Sequence, residues 1–165
     1  MRNFVLLVCS LVLCVTLAAA QGKISTEWKC DAKPSEQHSI SVPDHEGRSY
    51  TIAQGKCTAE KGTIGDVKEQ EGTFTEFGDM NMASGTDLNH GVFVETLANG
   101  DKIFYDYHGS QAWKDGKMVS GMNKWRLAGG TGMYKEAKGE GGCKGTGSPD
   151  GSSTWNCEGS YMGAK

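Results

Sequence analysis

The chain has 165 residues, with 17 Lys and Arg against 20 Asp and Glu for a net charge of −3, and it carries 24 glycines but only three prolines. No basic tract is present to neutralise a row of phosphates, so the composition argues against a nucleic-acid partner. The length suits one domain with a single core, and so many glycines suit an all-β chain with many corners.

Arg2 is followed by an apolar run over residues 4–17 and then by Ala18, Ala19 and Ala20. This is the pattern of a secretory signal peptide over residues 1–20, too short and too abruptly followed by polar sequence for a membrane span. Cleavage after Ala20 leaves residues 21–165 as one secreted or periplasmic domain with no membrane span. Arg2 leaves with the leader, so the mature chain holds 16 basic and 20 acidic side chains, a net of −4. Four cysteines remain, Cys30, Cys57, Cys143 and Cys157, an even number in an oxidising compartment and therefore two expected disulfides.

In chain order, Ile24, Thr26, Trp28 and Cys30 share one parity, the period-two signature of a half-buried strand. Residues 31–47, with Pro34, Pro43 and the cluster at 44–47, read as a long surface loop with a short extended piece near Ile40 and Val42. Residues 50–59 resume extension. Strands flanking that loop would bring Cys30 opposite Cys57. Residues 62–80 alternate in part, with Phe74 and Glu76 on one parity, and predict a strand with one wet face. Residues 80–89 read as a loop.

Two runs, 91–97 and 102–108, flank Asn99-Gly100, the dipeptide of a two-residue type I′ hairpin. That turn pairs Thr96 with Ile103, Val94 with Tyr105 and Val92 with Tyr107, giving a continuous apolar face. Phe93, Glu95 and Leu97 then share the second face with Lys102, Phe104, Asp106 and His108. Trp113 falls in a connecting loop before a strand at 118–127. The last hairpin, 139–146 and 153–162 around Asp150, pairs Cys143 with Cys157, Gly145 with Trp155 and Gly139 with Tyr161. Rings lie over facing glycines, and Glu140, Lys144, Asn156 and Glu158 point to water. The same register supports a bridge from Cys143 to Cys157 beside one from Cys30 to Cys57. Bridges from Cys30 and Cys57 to the C-terminal pair, across a barrel seam, remain the alternative.

The segment between the last strands is Gly129-Gly130-Thr131-Gly132-Met133-Tyr134-Lys135-Glu136-Ala137-Lys138-Gly139. Three glycines in four positions allow a sharp corner, Thr131 is placed to bond the backbone, and Tyr134 is placed as a plug over the end of a sheet. This segment resembles the Gly-Gly-Thr-Gly-x-(Phe/Tyr)-x-x-Ala-(Arg/Lys)-Gly stretch of dirigent proteins and the related Gly-(Ser/Thr)-Gly-x-Phe-x-Gly stretch of allene oxide cyclases. Gly129, Gly130, Thr131, Gly132, Tyr134, Ala137 and Gly139 stand at matching positions, and Lys138 stands where dirigent proteins usually have Arg. The resemblance implies an eight-stranded barrel that shapes a pocket, either to steer radical coupling or to close a ring on an epoxide. It also implies oligomers formed through exterior strands. The acidic and aromatic catalytic residues of those families have no match outside the segment, so their reactions do not carry over.

The strand count, the lack of long amphipathic runs and this resemblance converge on a single all-β, antiparallel eight-stranded barrel, disulfide-stapled, with minimal helix. His38, His45, His90 and His108 lack metal-ligand spacing, no Gly-x-Ser-x-Gly occurs and no phosphate loop precedes a helix, so neither metal nor cofactor is expected. One constellation invites chemistry: Glu95, Asp106 and His108 on the second hairpin face, beside Phe93 and Phe104. It would matter only if that face lined the barrel; the valine and tyrosine face, with more apolar surface, is the expected lining. Phe93, Phe104, Tyr105 and Tyr107 are the candidate ligand contacts. The leading expectation is non-catalytic binding of a small apolar molecule, or a structural role. The alternatives are a cofactor-free isomerase or cyclase acting inside the barrel and an oligomeric interaction module.

Overall fold

The computed structural model describes residues 21–163, so the leader expected over 1–20 lies outside the described residues. Ten strands run in chain order: β1 (Gln21–Cys30), β2 (Glu36–Ser41), β3 (Arg48–Lys61), β4 (Thr63–Ile64), β5 (Val67–Asn81), β6 (Thr86–Leu97), β7 (Lys102–Lys114), β8 (Lys117–Gly130), β9 (Lys138–Gly147) and β10 (Ser153–Met162). Neighbours from β5 through β10 pair antiparallel in sequence order, β10 pairs with β1, and β3 joins both β1 and β5. The sheet therefore closes into an eight-stranded antiparallel barrel, which leaves no long unpaired edge in its wall. Strand β2 pairs only with the first half of β3 and is exposed throughout, and β4 is a two-residue rung on β5. Among the described residues no helix is long and apolar enough to cross a membrane.

The inward parity of β1 is Ile24, Thr26, Trp28 and Cys30, all buried. Cys30 lies opposite Cys57 and Cys143 opposite Cys157, and both pairs are disulfide-bonded across the ladder. The last hairpin keeps the predicted register, with Gly145 opposite Trp155 and Gly139 opposite Tyr161, and with Glu140, Lys144, Asn156 and Glu158 exposed.

The central hairpin differs from expectation by one residue. Its loop has three residues, not two: Leu97 N–H bonds Asp101 O at 2.9 Å, and Gly100 N–H bonds Leu97 O at 2.9 Å. Gly100 takes φ +86 while Asn99 stays at negative φ, the form of a type I turn closed by a left-handed glycine. The Asn99 side chain holds this form by accepting from Asp101 N–H at 3.0 Å. One extra residue in the turn exchanges partners: Glu95 pairs with Ile103, Phe93 with Tyr105, and Val94 with Phe104. Since side chains alternate with period two, the inner face of β6 becomes Phe93, Glu95 and Leu97, and Val92 is 44% exposed outside. A type I′ turn does occur, at Asp115 (φ 52) and Gly116 (φ 74), where β7 and β8 extend through the expected loop and carry Trp113 within a strand. The loop expected at 80–89 shortens to residues 82–85, with β6 starting at Thr86.

The two ends of the barrel are built differently. At one end Ile64, Leu97, Ile103, Leu127, Tyr134 and Ala137 are each at most 1% exposed. Gly132 at φ +54 starts a single 3-10 turn, Gly132–Tyr134, which tips Tyr134 over the barrel end so that its hydroxyl donates to Ile64 O at 3.1 Å. Thr131 Oγ1 accepts from Lys102 N–H at 2.8 Å and fixes this corner to the β6–β7 turn. Toward the opposite end, large rings lie along the wall. Phe74 covers Gly55, Phe93 covers Gly72, Trp125 covers Gly141 and Gly159, and Trp155 covers Gly121 and Gly145. A methyl at Gly72 would come within 1.9 Å of Phe93 Cζ, and one at Gly145 within 2.7 Å of the Trp155 ring. The rings use space that side chains would otherwise fill, and the middle of this half stays open.

Candidate functional site: an acidic, aromatic cavity inside the barrel

The open half encloses a cavity of about 250 Å³ that runs from Glu69 and Glu95 in the depth of the barrel to Gln37, Gln111 and Trp113 near the mouth. All four tryptophans of the chain, Trp28, Trp113, Trp125 and Trp155, line it. The rings form a connected wall: Trp28 packs edge-on to Phe93 at 5.0 Å, Phe93 lies 6.3 Å from Tyr105, and Tyr105 meets Trp125 edge-on at 5.3 Å. Such edge-to-face contacts hold rings in fixed orientations, so the wall is preformed.

Five acidic side chains line the same space: Asp31, which is exposed, and four carboxyls in two tiers. In the inner tier Glu69 and Glu95 are each 1% exposed. Thr26 Oγ1 donates to Glu69 Oε2 at 2.5 Å, and the Tyr105 hydroxyl donates to Glu95 Oε2 at 2.7 Å. Burial, then the nearby Glu69 charge, pushes Glu95 up to about 9, and burial also raises Glu69. Glu95 Oε1 accepts no hydrogen bond, yet the Glu69 carboxyl lies within hydrogen-bonding reach. A proton on Glu95 turns that oxygen into a donor and removes the repulsion between two buried like charges, so Glu95 keeps its proton at neutral pH.

The outer tier is Glu76 and Asp87. The Tyr107 hydroxyl donates to Glu76 Oε2 at 2.8 Å, and burial followed by the Asp87 charge pushes Glu76 up to about 7. Asp87 is 4% exposed, its Oδ2 accepts from Asn89 Nδ2 at 3.3 Å, and its Oδ1 has no partner. Burial raises its pKa as well. Asp87 fits because Gly78 on the neighbouring strand leaves the space its carboxylate occupies; a methyl there would stand 2.7 Å from Oδ1. Among the described residues, no Lys, Arg or His lines the cavity. The ion pairs among the described residues all lie elsewhere, the best built being the Arg48 fork on Asp79 at 2.9 and 2.7 Å on the outer surface.

The structure separates the constellation expected from the sequence. Glu95 points inward, whereas Asp106 and His108 are exposed on the outer face, where Asp106 stands opposite Val92 and His108 opposite His90. The three do not share a site, because the three-residue turn puts Glu95 on the face opposite to Asp106 and His108. Of the expected ligand contacts, Phe93, Tyr105 and Tyr107 line the cavity and Phe104 lies on the outside, paired with Val94. Val92 and Val94, part of the expected lining, are likewise outside. Glu69, Glu76 and Asp87 escaped the sequence reading as site residues. Glu76 shares its parity with Phe74, which was a usable sign; Asp87 fell in a segment read as loop. Among the described residues, no three His, Cys, Asp or Glu side chains come close enough to hold one metal ion.

No family model matches the chain, and no curated protein matches it. Two solved structures that align with it are pterocarpan synthase dirigent proteins. One is 11% identical over 89% of this chain and 90% of that chain, with a TM-score of 0.49. The second is 11% identical over 88% of this chain and 97% of that chain, with a TM-score of 0.48. The functional reading rests on the geometry of this chain.

Proposed function

We propose that this is a secreted barrel that binds a small, mostly apolar molecule in its interior without turning it over. The observation that carries the reading is the ring-on-glycine wall, which holds open a cavity of about 250 Å³ next to a fully packed barrel end. A chain under pressure only to be stable would fill such a space, since each unfilled void forfeits packing energy. The two ladder disulfides agree with an oxidising destination. Tryptophan emission is the direct test: with all four tryptophans on the cavity wall, an apolar probe such as dissolved toluene should shift or quench it saturably. Emission that stays unchanged across aromatic and aliphatic probes would defeat the reading.

A second reading, a cofactor-free isomerase or cyclase, keeps Glu95 but loses Asp106 and His108 as its partners. What favours it is that Glu76 and Glu95 are carboxyls able to hold a proton near neutral pH inside an aromatic cavity. Glu76→Gln and Glu95→Gln should abolish turnover of any substrate found while leaving its binding measurable.

A further inference from the structure

We propose that the outer tier of the cavity is a site for a compact organic cation, a protonated amine on an aryl or short alkyl body, with the ammonium at Asp87 and Glu76 and the body against the rings. This rests on the hollow-barrel reading and specifies its ligand.

Three independent observations point the same way. Among the described residues five acidic side chains line the cavity, Asp31 and the four of the two tiers, and no basic one does, so the charge is left to be balanced by something that enters. Asp87 Oδ1 is an acceptor without a donor on a side chain 96% removed from solvent contact, since Asp87 is 4% exposed, and it lines the cavity. Leaving a buried carboxylate oxygen unpaired is costly, and a charged N–H donor is the partner that recovers most of that cost. Aromatic side chains line the same cavity, and ring faces attract cations while also covering an apolar body.

A metal ion suits the place poorly, because no three ligating side chains converge there among the described residues. An organic ammonium needs no such convergence. Its charge is satisfied by one or two carboxylates together with ring faces. Trp113 Nε1, a buried donor without a partner, also lines the mouth, so a ligand with one acceptor besides its ammonium would be held at both ends.

The groups that set the charge here are Glu76 and Tyr107 beside each other, Asp87 next to Asn89, Asp79 on the outer side of β5, the exposed Asp31, and the inner pair Glu69 and Glu95 with Tyr105. Gln111 on β7 and Gln37 and Thr51 on the opposite wall are neutral. As pH rises, the outer carboxyls lose their protons while an aliphatic amine keeps its own, so amine binding strengthens and binding of a neutral molecule does not.

The test compares phenethylammonium with its neutral near-isostere phenethyl alcohol by calorimetry and tryptophan emission on the oxidised protein. The expected result is an affinity at least about tenfold higher for the ammonium at about pH 8 than for the alcohol, narrowing by about pH 5.5. Asp87→Asn should remove most of that preference, and the outer-surface Asp106→Asn should leave it intact. If Asp87→Asn fails to give the native near-UV spectrum, Glu76→Gln carries the same comparison. Equal binding of both probes, with no effect of either interior variant, overturns the cation site and leaves the hollow barrel standing. Absence of binding by either probe overturns both.

Discussion

The two ends of this barrel are made from the same eight strands, yet one is solid and the other hollow. At the solid end aliphatic side chains and Tyr134 meet in the middle, while at the hollow end the bulkier rings of Phe and Trp leave the middle empty. Side-chain size therefore does not decide whether a barrel fills. What decides it is whether large side chains project across the lumen or lie down on glycines of the next strand.

The largest effect should come from breaking the solid end. Tyr134→Ala removes a fully buried ring and its hydrogen bond to Ile64 O, and should cost about 3–5 kcal/mol in denaturant unfolding. If the loss is under about 1 kcal/mol, the plug is dispensable and the contrast between the ends is wrong.

A smaller effect tests the hollow end directly. Gly72→Ala should cost about 1–3 kcal/mol, because the added methyl must displace the Phe93 ring. The ring has open cavity to move into, so the same variant should shrink the lumen and weaken binding of any interior ligand more than it weakens the fold. Calorimetry with and without a bound probe separates the two.

Glu95 sets a pH signature on the boundary between the halves. Its folded pKa, about 9, lies above its ordinary value of 4.5, so the folded protein retains a proton that the unfolded chain releases. The stabilisation is fully present below about pH 4.5 and is lost as pH rises toward 9, with a limiting slope of about 1.4 kcal/mol per pH unit for one proton. Glu95→Gln should flatten that decline; a wild-type stability curve that is already flat as pH rises toward 9 would show that Glu95 is ionised in the fold.

The smallest effect belongs to the outer face. Asp106→Asn touches an exposed carboxylate 3.9 Å from Arg126 and should alter stability by less than about 0.5 kcal/mol. Set beside Glu95→Gln, it measures how much one residue of hairpin register separates two acidic side chains that the sequence alone places together.

That register explains both what was legible and what was not. Alternation in β1 and the Pro149-Asp150-Gly151 turn were sufficient to read the strand faces, the disulfide Cys143–Cys157 and the pairing of Trp155 with Gly145. Asn99-Gly100 was misleading because the same dipeptide serves a two-residue turn and a three-residue turn with opposite consequences for every inward residue. Hydrophobic alternation also favoured the valine face. A cavity wall that includes Glu69, Glu76, Asp87 and Glu95 is invisible to a rule that equates inside with apolar. Closure of the barrel was legible from strand count, while the hollowness of one half depends on which glycine each ring meets across the ladder, a property of paired strands and not of either strand alone.

The pairing of ring with glycine has a consequence for how such a lumen changes over generations. The ladder of backbone hydrogen bonds does not involve the side chains, so the wall keeps its course when a pair is altered. Gly55 with Phe74, Gly72 with Phe93, and Gly145 with Trp155 act as separate adjustments of capacity. Trading a ring for a smaller residue enlarges one sector, and adding a methyl under a ring narrows it. Ligand size can thus be retuned in single mutational steps, each confined to two neighbouring positions on adjacent strands, while the closed sheet that carries them stays the same.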